Sequence, residues 1–110
     1  MFNYNAMAIQ LANQLNSVLD QGIQELSQFK FTVALRDALV AKGFTADYAT
    51  EFVSRMAIKI QVELNDEALN ALVDTYSRLI FDASVHFVGN GFTLNNFINM
   101  APNFHVDLVG

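Results

Sequence analysis

Between Asn65 and Val88 the apolar positions recur at the spacing of a helix. At about 100° per residue, Leu69, Leu72, Val73, Tyr76, Leu79, Ile80, Ala83 and Phe87 fall within an arc of roughly 120°, while Glu67, Asn70, Ala71, Asp74 and Arg78 fall outside it. The start is marked by Asn65 as a capping side chain, by Asp66 and Glu67 where the helix dipole is positive, and by Leu64 placed to staple against Leu69. Gly89 is the expected stop, because glycine takes the left-handed conformation that ends a helix. One long helix is expected here, with the rest of the chain packed around it.

The same signals recur before it. Asn3 caps a first helix from about Tyr4, Phe2 staples against Met7, and Ala8, Leu11, Leu15, Val18 and Leu19 continue one face to a break at Gly22. A continuous helix to Gln28 is the alternative, since an internal glycine costs only about 1 kcal/mol. Ser27 offers the next start, and Phe31, Leu35, Ala38 and Leu39 line one face until Gly43, although Phe29 to Val33 also alternates like a strand. Thr45 caps a further helix carrying Tyr48, Phe52, Met56 and Ile60 at helical spacing.

The end of that helix is ambiguous. Ile58, Lys59, Ile60, Gln61, Val62, Glu63, Leu64 alternates strictly and is rich in β-branched residues, a strand signature whose credible partners are Phe29 to Val33 and Phe104 to Val109. The continuing apolar stripe favours helix. Beyond Gly91, Thr93 opens a short helix with Phe92 stapled to Phe97 and Pro102 at its close, and the tail from Asn103 alternates as an extended segment would. The expected fold is all-α: a compact bundle of four or five helices with a short C-terminal helix and an extended tail, a single helical domain over residues 1–110.

Composition changes this picture in one respect. Hydrophobic residues make up 53 % and charged residues only 15 %, against about 25 % in ordinary soluble domains. The polar surface is carried by Asn and Gln, which are easier to bury against a partner than charge. The formal charge of −5 and a total of only six Lys and Arg argue against a phosphate-backbone partner, so no nucleic acid is expected. With no cysteine, disulfides and thiolate chemistry are excluded, which fits a cytoplasmic protein. The first Lys or Arg is Lys30, so the N-terminus lacks the basic region of a secretory signal, and no eighteen-residue apolar run predicts a membrane partner.

Candidate chemistry is sparse. His86 lies one turn after Asp82, so the pair could share a metal or act as an oriented base, and a small enzyme or metal-binding bundle using them is the alternative reading. A helix-surface ion pair is the simpler account, because a metal needs further ligands and only two can be named. Glu63, Glu67 and Asp74 read as a solvated face, with Arg78 bridging Asp74 and Asp82. Gly89, Asn90, Gly91 has neither the spacing nor the lysine of a phosphate loop. No catalytic residue, metal site or cofactor is therefore assigned.

Two stretches resemble known modules. Ala34 to Ser54 has the helix, glycine turn, helix layout and resembles a helix-turn-helix, which would imply a DNA partner, but Asp47 and Glu51 open the second helix and would repel phosphates. Lys42, Gly43, Phe44 with Ala46 and Ala49 is similar to the Gly-Phe loop of ubiquitin-associated domains over this short stretch. A glycine C-cap with its apolar contact accounts for the same residues.

The remaining expectation concerns association. Phe81, Val85 and Val88 leave the main stripe of the long helix, so its C-terminal end is apolar nearly all round. From Ala83 to Val106 there is no Asp, Glu, Lys or Arg, and residues 1–19 are equally free of charge. Charge depletion with aromatic enrichment marks the core of a protein interface. The expected function is a non-enzymatic interaction module, either an assembly subunit or a small acidic inhibitor or adaptor. It is expected to form a homo-oligomer or a complex with another protein through Phe81, Val85, Val88, Phe92 and Phe97 with part of the first helix.

Overall fold

The computed structural model describes residues 26–109. The first helix expected from Tyr4 and its break at Gly22 lie outside the described residues. The chain is already helical at residue 26, and this helix, α1, continues to residue 41. The open alternative near its start is thereby decided for the helix, and the reading of Ser27 as a cap is corrected. Phe29 to Val33 is helical and not extended: Phe31 is fully buried while Phe29, two residues before it, is 65 % exposed, whereas a strand would turn both to the same face. Ser27 is a helical residue and not a cap. Its buried hydroxyl accepts from the Leu64 backbone N–H at 3.3 Å, and next to it Gln28 Oε1 accepts from the Ile60 N–H at 3.1 Å.

Three expected caps are present with their side-chain hydrogen bonds. Thr45 Oγ1 accepts from the Tyr48 N–H at the start of α2, Ala46–Arg55. Asn65 Oδ1 accepts from Ala68 N–H at 2.8 Å at the start of α3, Asp66–Gly89. Thr93 Oγ1 accepts from Asn96 N–H at the start of α4, Leu94–Phe97, which runs on as a 3-10 helix over Ile98–Asn103 with Pro102 inside it. Each satisfies one of the N–H groups that a helix start leaves unpaired.

Both glycine stops use one geometry. At the end of α1, Gly43 has φ 114°, its N–H reaches Val40 O, and the Phe44 N–H reaches back to Leu39 O. At the end of α3, Gly91 has φ 93°, its N–H reaches Val88 O, and the Phe92 N–H reaches Phe87 O. This is the Schellman pairing, in which the residue after a left-handed glycine also packs on the last turn. At α3 the Phe87 and Phe92 rings stack with centroids 4.7 Å apart. The stop is therefore Gly91; Gly89, expected to end the helix, is its last helical residue. The predicted staple partner of Phe92 is replaced by Phe87.

The fold is not strictly all-α. Among the described residues helical ones predominate at 71 %, but Ala57–Gln61 forms a strand, β1, that pairs in parallel with β2, His105–Val109, in the register Ala57↔His105 to Gln61↔Val109. The helical spacing of Phe52, Met56 and Ile60 carries on past the true end of α2, since Met56 is already extended at φ −68°, ψ 152°. Alternation wins beyond it: Ile58, Ile60, Val62 and Leu64 turn inward while Ala57, Lys59, Gln61 and Glu63 are exposed. A parallel partner needs a long crossover, and α3, α4 and the 3-10 helix supply it. The outer edge of β1 is where Gln28 binds Ile60, so α1 covers groups that a lone strand would leave open.

The core lies where these elements meet. Phe31, Leu35 and Leu39 of α1 join Phe52 and Val53 of α2, Ile60 of β1, Val73 and Ile80 of α3, Phe97, Ala101 and Val106. Phe52 stacks on Phe97 at 5.3 Å, and Phe104 lies 5.7 Å from Phe52. No buried side-chain nitrogen or oxygen among the described residues lacks a hydrogen-bond partner. None of the described helices is long and apolar enough to cross a membrane.

Candidate functional site

The C-terminal half of α3 faces two ways. One side carries Ile80, Ala83 and Phe87 into the core, and the other carries Phe81, Val85 and Val88, spaced four and then three residues apart, along a separate seam. The α1 to α2 turn stands beside that seam because Gly43 lets the chain double back. Phe44 then meets Phe81 edge-on with ring centroids 6.3 Å apart, and the Lys42 ammonium sits 5.6 Å from the centre of the same ring.

Between these walls lies an open groove of about 450 Å³ lined by Phe44, Phe81, Val85, Val88 and Leu94, with Lys42 at its edge. Backbone at Gly43 and Gly89 and the side chain of Ser84 complete the lining. Ser84 is buried and donates its hydroxyl to Phe81 O at 2.6 Å, so its hydroxyl proton is already engaged within the helix. Val85 is 54 % and Val88 47 % exposed. Among the described residues, Lys42 is the only ionisable side chain that lines the groove.

The five residues expected to form an interface therefore separate into three groups. Phe81, Val85 and Val88 come together on the groove. Phe92 is half-exposed but leans on Phe87, round the helix from it. Phe97 is inside the core, 2 % exposed, and is not part of any exposed surface. Its burial follows from α4, which turns that ring onto Phe52 and Phe87. The expected contribution of the first helix lies outside the described residues. Lys42, Phe44 and Leu94 were not anticipated; a glycine C-cap followed by an aromatic was the available signal, but it does not say which later helix the aromatic will meet.

The other candidates are dispersed. Asp82 and His86 are both exposed, and no group of three or more His, Cys, Asp or Glu side chains comes together among the described residues. Arg78 pairs with Asp74 at 3.1 Å; a bridge onward to Asp82 is not formed. His105 opens β2, where its carbonyl accepts the Tyr76 hydroxyl at 2.6 Å. A second depression of about 350 Å³ runs beside the sheet between Ala57, Ile58, Lys59, His105, Val106 and Asp107, with Lys59 directly opposite Asp107 in the strand register. The Tyr48 hydroxyl donates to Leu94 O at 2.6 Å, tying α2 to the start of α4, and burial raises its pKa above the ordinary tyrosine value.

Among the described residues the arrangement is an open apolar groove with one cation, Lys42, beside it. The chain matches no protein-family model, no curated protein and no solved structure.

Proposed function

We propose that the chain is a non-enzymatic protein–protein interaction module, an assembly subunit or a small acidic inhibitor or adaptor that acts by occupying another protein surface. The observation that carries this reading is the groove along Phe81, Val85 and Val88. Its walls are apolar, it is open, and its rim residues Val85, Val88 and Leu94 remain exposed although a well-filled core lies one helix face away. Apolar surface left in water is unfavourable by about 25 cal/mol per Å², and contiguous patches of it mark sites that a partner covers. The stretch from Ala83 to Val106 contributes no Asp, Glu, Lys or Arg to this end of the molecule, so a partner could close over it without stripping water from a row of charges.

The test is a pair of variants, Val85→Asp and Phe81→Ser, introduced with a photoactivatable cross-linker at Leu94. Folding is checked by circular dichroism. If the face binds protein, the native chain forms a defined protein adduct in extract of its source and both variants lose it while keeping the native helical signal. An unchanged adduct pattern in both variants, or none at all from the native chain, would defeat the reading.

A further inference from the structure

We propose that Asn90 is a modification site: the Asn90–Gly91 junction at the end of α3 deamidates to aspartate and isoaspartate when the helix cap opens, and the products hinder the cap from closing again.

The chemistry needs two neighbours that the chain places together once, since Asn90–Gly91 is the only Asn-Gly pair in the sequence. The Gly91 backbone nitrogen attacks Cγ of the Asn90 side chain, the bond from Cγ to Nδ2 breaks, and Nδ2 leaves as ammonia with the proton that Gly91 gave up. Water then opens the five-membered imide at either carbonyl, giving aspartate from one and isoaspartate from the other. No further reactant is required. Glycine matters because a side chain on the attacking residue would crowd the nitrogen. Both residues are exposed, so water and hydroxide reach them.

The closed cap holds the reacting atoms apart in three ways. Gly91 N–H donates to Val88 O at 3.0 Å, so its proton is engaged. Asn90 Nδ2 donates to His86 O at 2.8 Å, which ties the leaving group to the last turn. At ψ 12° the Gly91 nitrogen nearly eclipses the backbone nitrogen of Asn90 and lies away from its Cβ, whereas ring closure needs the two on one side. Fraying of the last turn releases all three together, and helix ends are where local opening is least costly. The stack of Phe92 on Phe87, ring centroids 4.7 Å apart, opposes that fraying.

The products do not fit the closed cap. A carboxylate at residue 90 has no proton to offer His86 O, and it sets negative charge against helix carbonyls that already carry negative partial charge. Isoaspartate adds one carbon to the backbone between residues 90 and 91, which takes the Gly91 and Phe92 N–H groups out of register with Val88 O and Phe87 O. Val88 and Gly89 of the same turn line the groove, so the change reaches one end of that surface.

The full chain is incubated in warm, mildly alkaline buffer, folded or in urea, and residue 90 is followed by peptide mass and by the enzymatic methylation that marks isoaspartate. Exchange of the side-chain NH2 for OH adds about one dalton. The folded chain is expected to convert at Asn90 ahead of Asn95 and Asn96, whose following residues carry side chains. Its rate is expected at least about tenfold below the rate in urea, as for a reaction gated by local opening. Phe92→Ala is expected to raise the folded rate and leave the urea rate unchanged, and Asn90→Asp, made directly, to melt earlier than the native chain. No conversion in the folded chain, equal rates folded and in urea, or a Phe92→Ala chain that converts no faster when folded overturns the gated site. An Asn90→Asp chain that melts with the native one overturns the effect assigned to the product.

Discussion

The two halves of α3 are built from similar helix-forming sequence and differ on their outward side. In the first half the side away from the core carries Glu67, Asn70, Asp74 and Arg78, exposed and hydrated, with Arg78 paired to Asp74 across one turn. In the second half the corresponding side carries Phe81, Val85 and Val88 and faces an open groove. Both halves bury the same kind of core residue, Val73 in one and Ile80 in the other. Burying the core stripe therefore does not by itself require an apolar outward side, and of the three outward residues of the second half Phe81 packs edge-on against Phe44 while Val85 and Val88 stay half-exposed. The difference leaves one face of the helix for the private core and a second apolar face, confined to its last turns, that is the one proposed above to meet a partner.

The comparison can be broken most forcefully by truncating each face in turn. Ile80→Ala, at a position 1 % exposed, should cost about 2–5 kcal/mol in urea unfolding, through lost burial and the cavity left behind. Val85→Ala, on the opposite side, should change monomer stability by less than about 0.5 kcal/mol. Equal losses would mean that the groove face is structural.

The end of the helix gives the next largest contrast. Gly91→Ala places a Cβ at φ 93° and should destabilise by more than about 1 kcal/mol, even though no atom lies within 4 Å of the added methyl. Gly89→Ala, helical and equally uncrowded, should instead stabilise by up to about 1 kcal/mol. Thermal denaturation of the two variants, two residues apart, should show midpoints moving in opposite directions. At the other end, Asn65→Ala should cost about 1 kcal/mol by removing the acceptor for Ala68 N–H, with the loss visible as earlier melting in the same assay.

Tyr48 ties α2 to the segment that follows the apolar half. Burial favours its neutral form, so its pKa in the folded state lies above that of the unfolded chain. The unfolded chain releases this proton first as pH rises. The associated stability is thus complete below about pH 10 and is lost as pH climbs through the folded-state value. Tyr48→Phe should remove this alkaline loss and, by freeing Leu94 O, cost about 1 kcal/mol near neutral pH. The smallest effect belongs to the hydrated half: Arg78→Ala should shift stability by no more than about 0.5 kcal/mol, because both partners of its ion pair are largely in water.

How much of this was legible depended on whether the deciding interaction was local. Caps at Thr45, Asn65 and Thr93 and the stripes of α1, α2 and α3 were legible, because a hydroxyl or amide three residues before an N–H needs nothing from elsewhere in the chain. The strand at Ala57–Gln61 was visible as alternation, yet local pattern alone could not outweigh the continuing apolar stripe of α2. Its stability comes from a partner 48 residues away and from the Gln28 side chain. The candidate site divides in the same way. Phe81, Val85 and Val88 could be read from one helix, whereas Phe44 and Lys42 joined them only through the turn at Gly43. Phe97 misled because an aromatic in a charge-free stretch looks the same whether it faces inward or outward; only the direction in which α4 leaves Thr93 decides.

The parallel pairing of β1 with β2 also sets an order on events. Each backbone group of β1 that faces β2 must wait until α3, α4 and the 3-10 helix have been made and folded back, so these hydrogen bonds close a long loop and close late. The helices, whose contacts are mostly local, have no such delay. A chain emerging from the ribosome would therefore carry formed helices and a waiting β1 whose sequence, Ala-Ile-Lys-Ile-Gln, is apt to pair with any extended neighbour. Lys59 in its centre is exposed and stands opposite Asp107 in the register of the complete fold, and two such waiting strands would meet each other with like charges there.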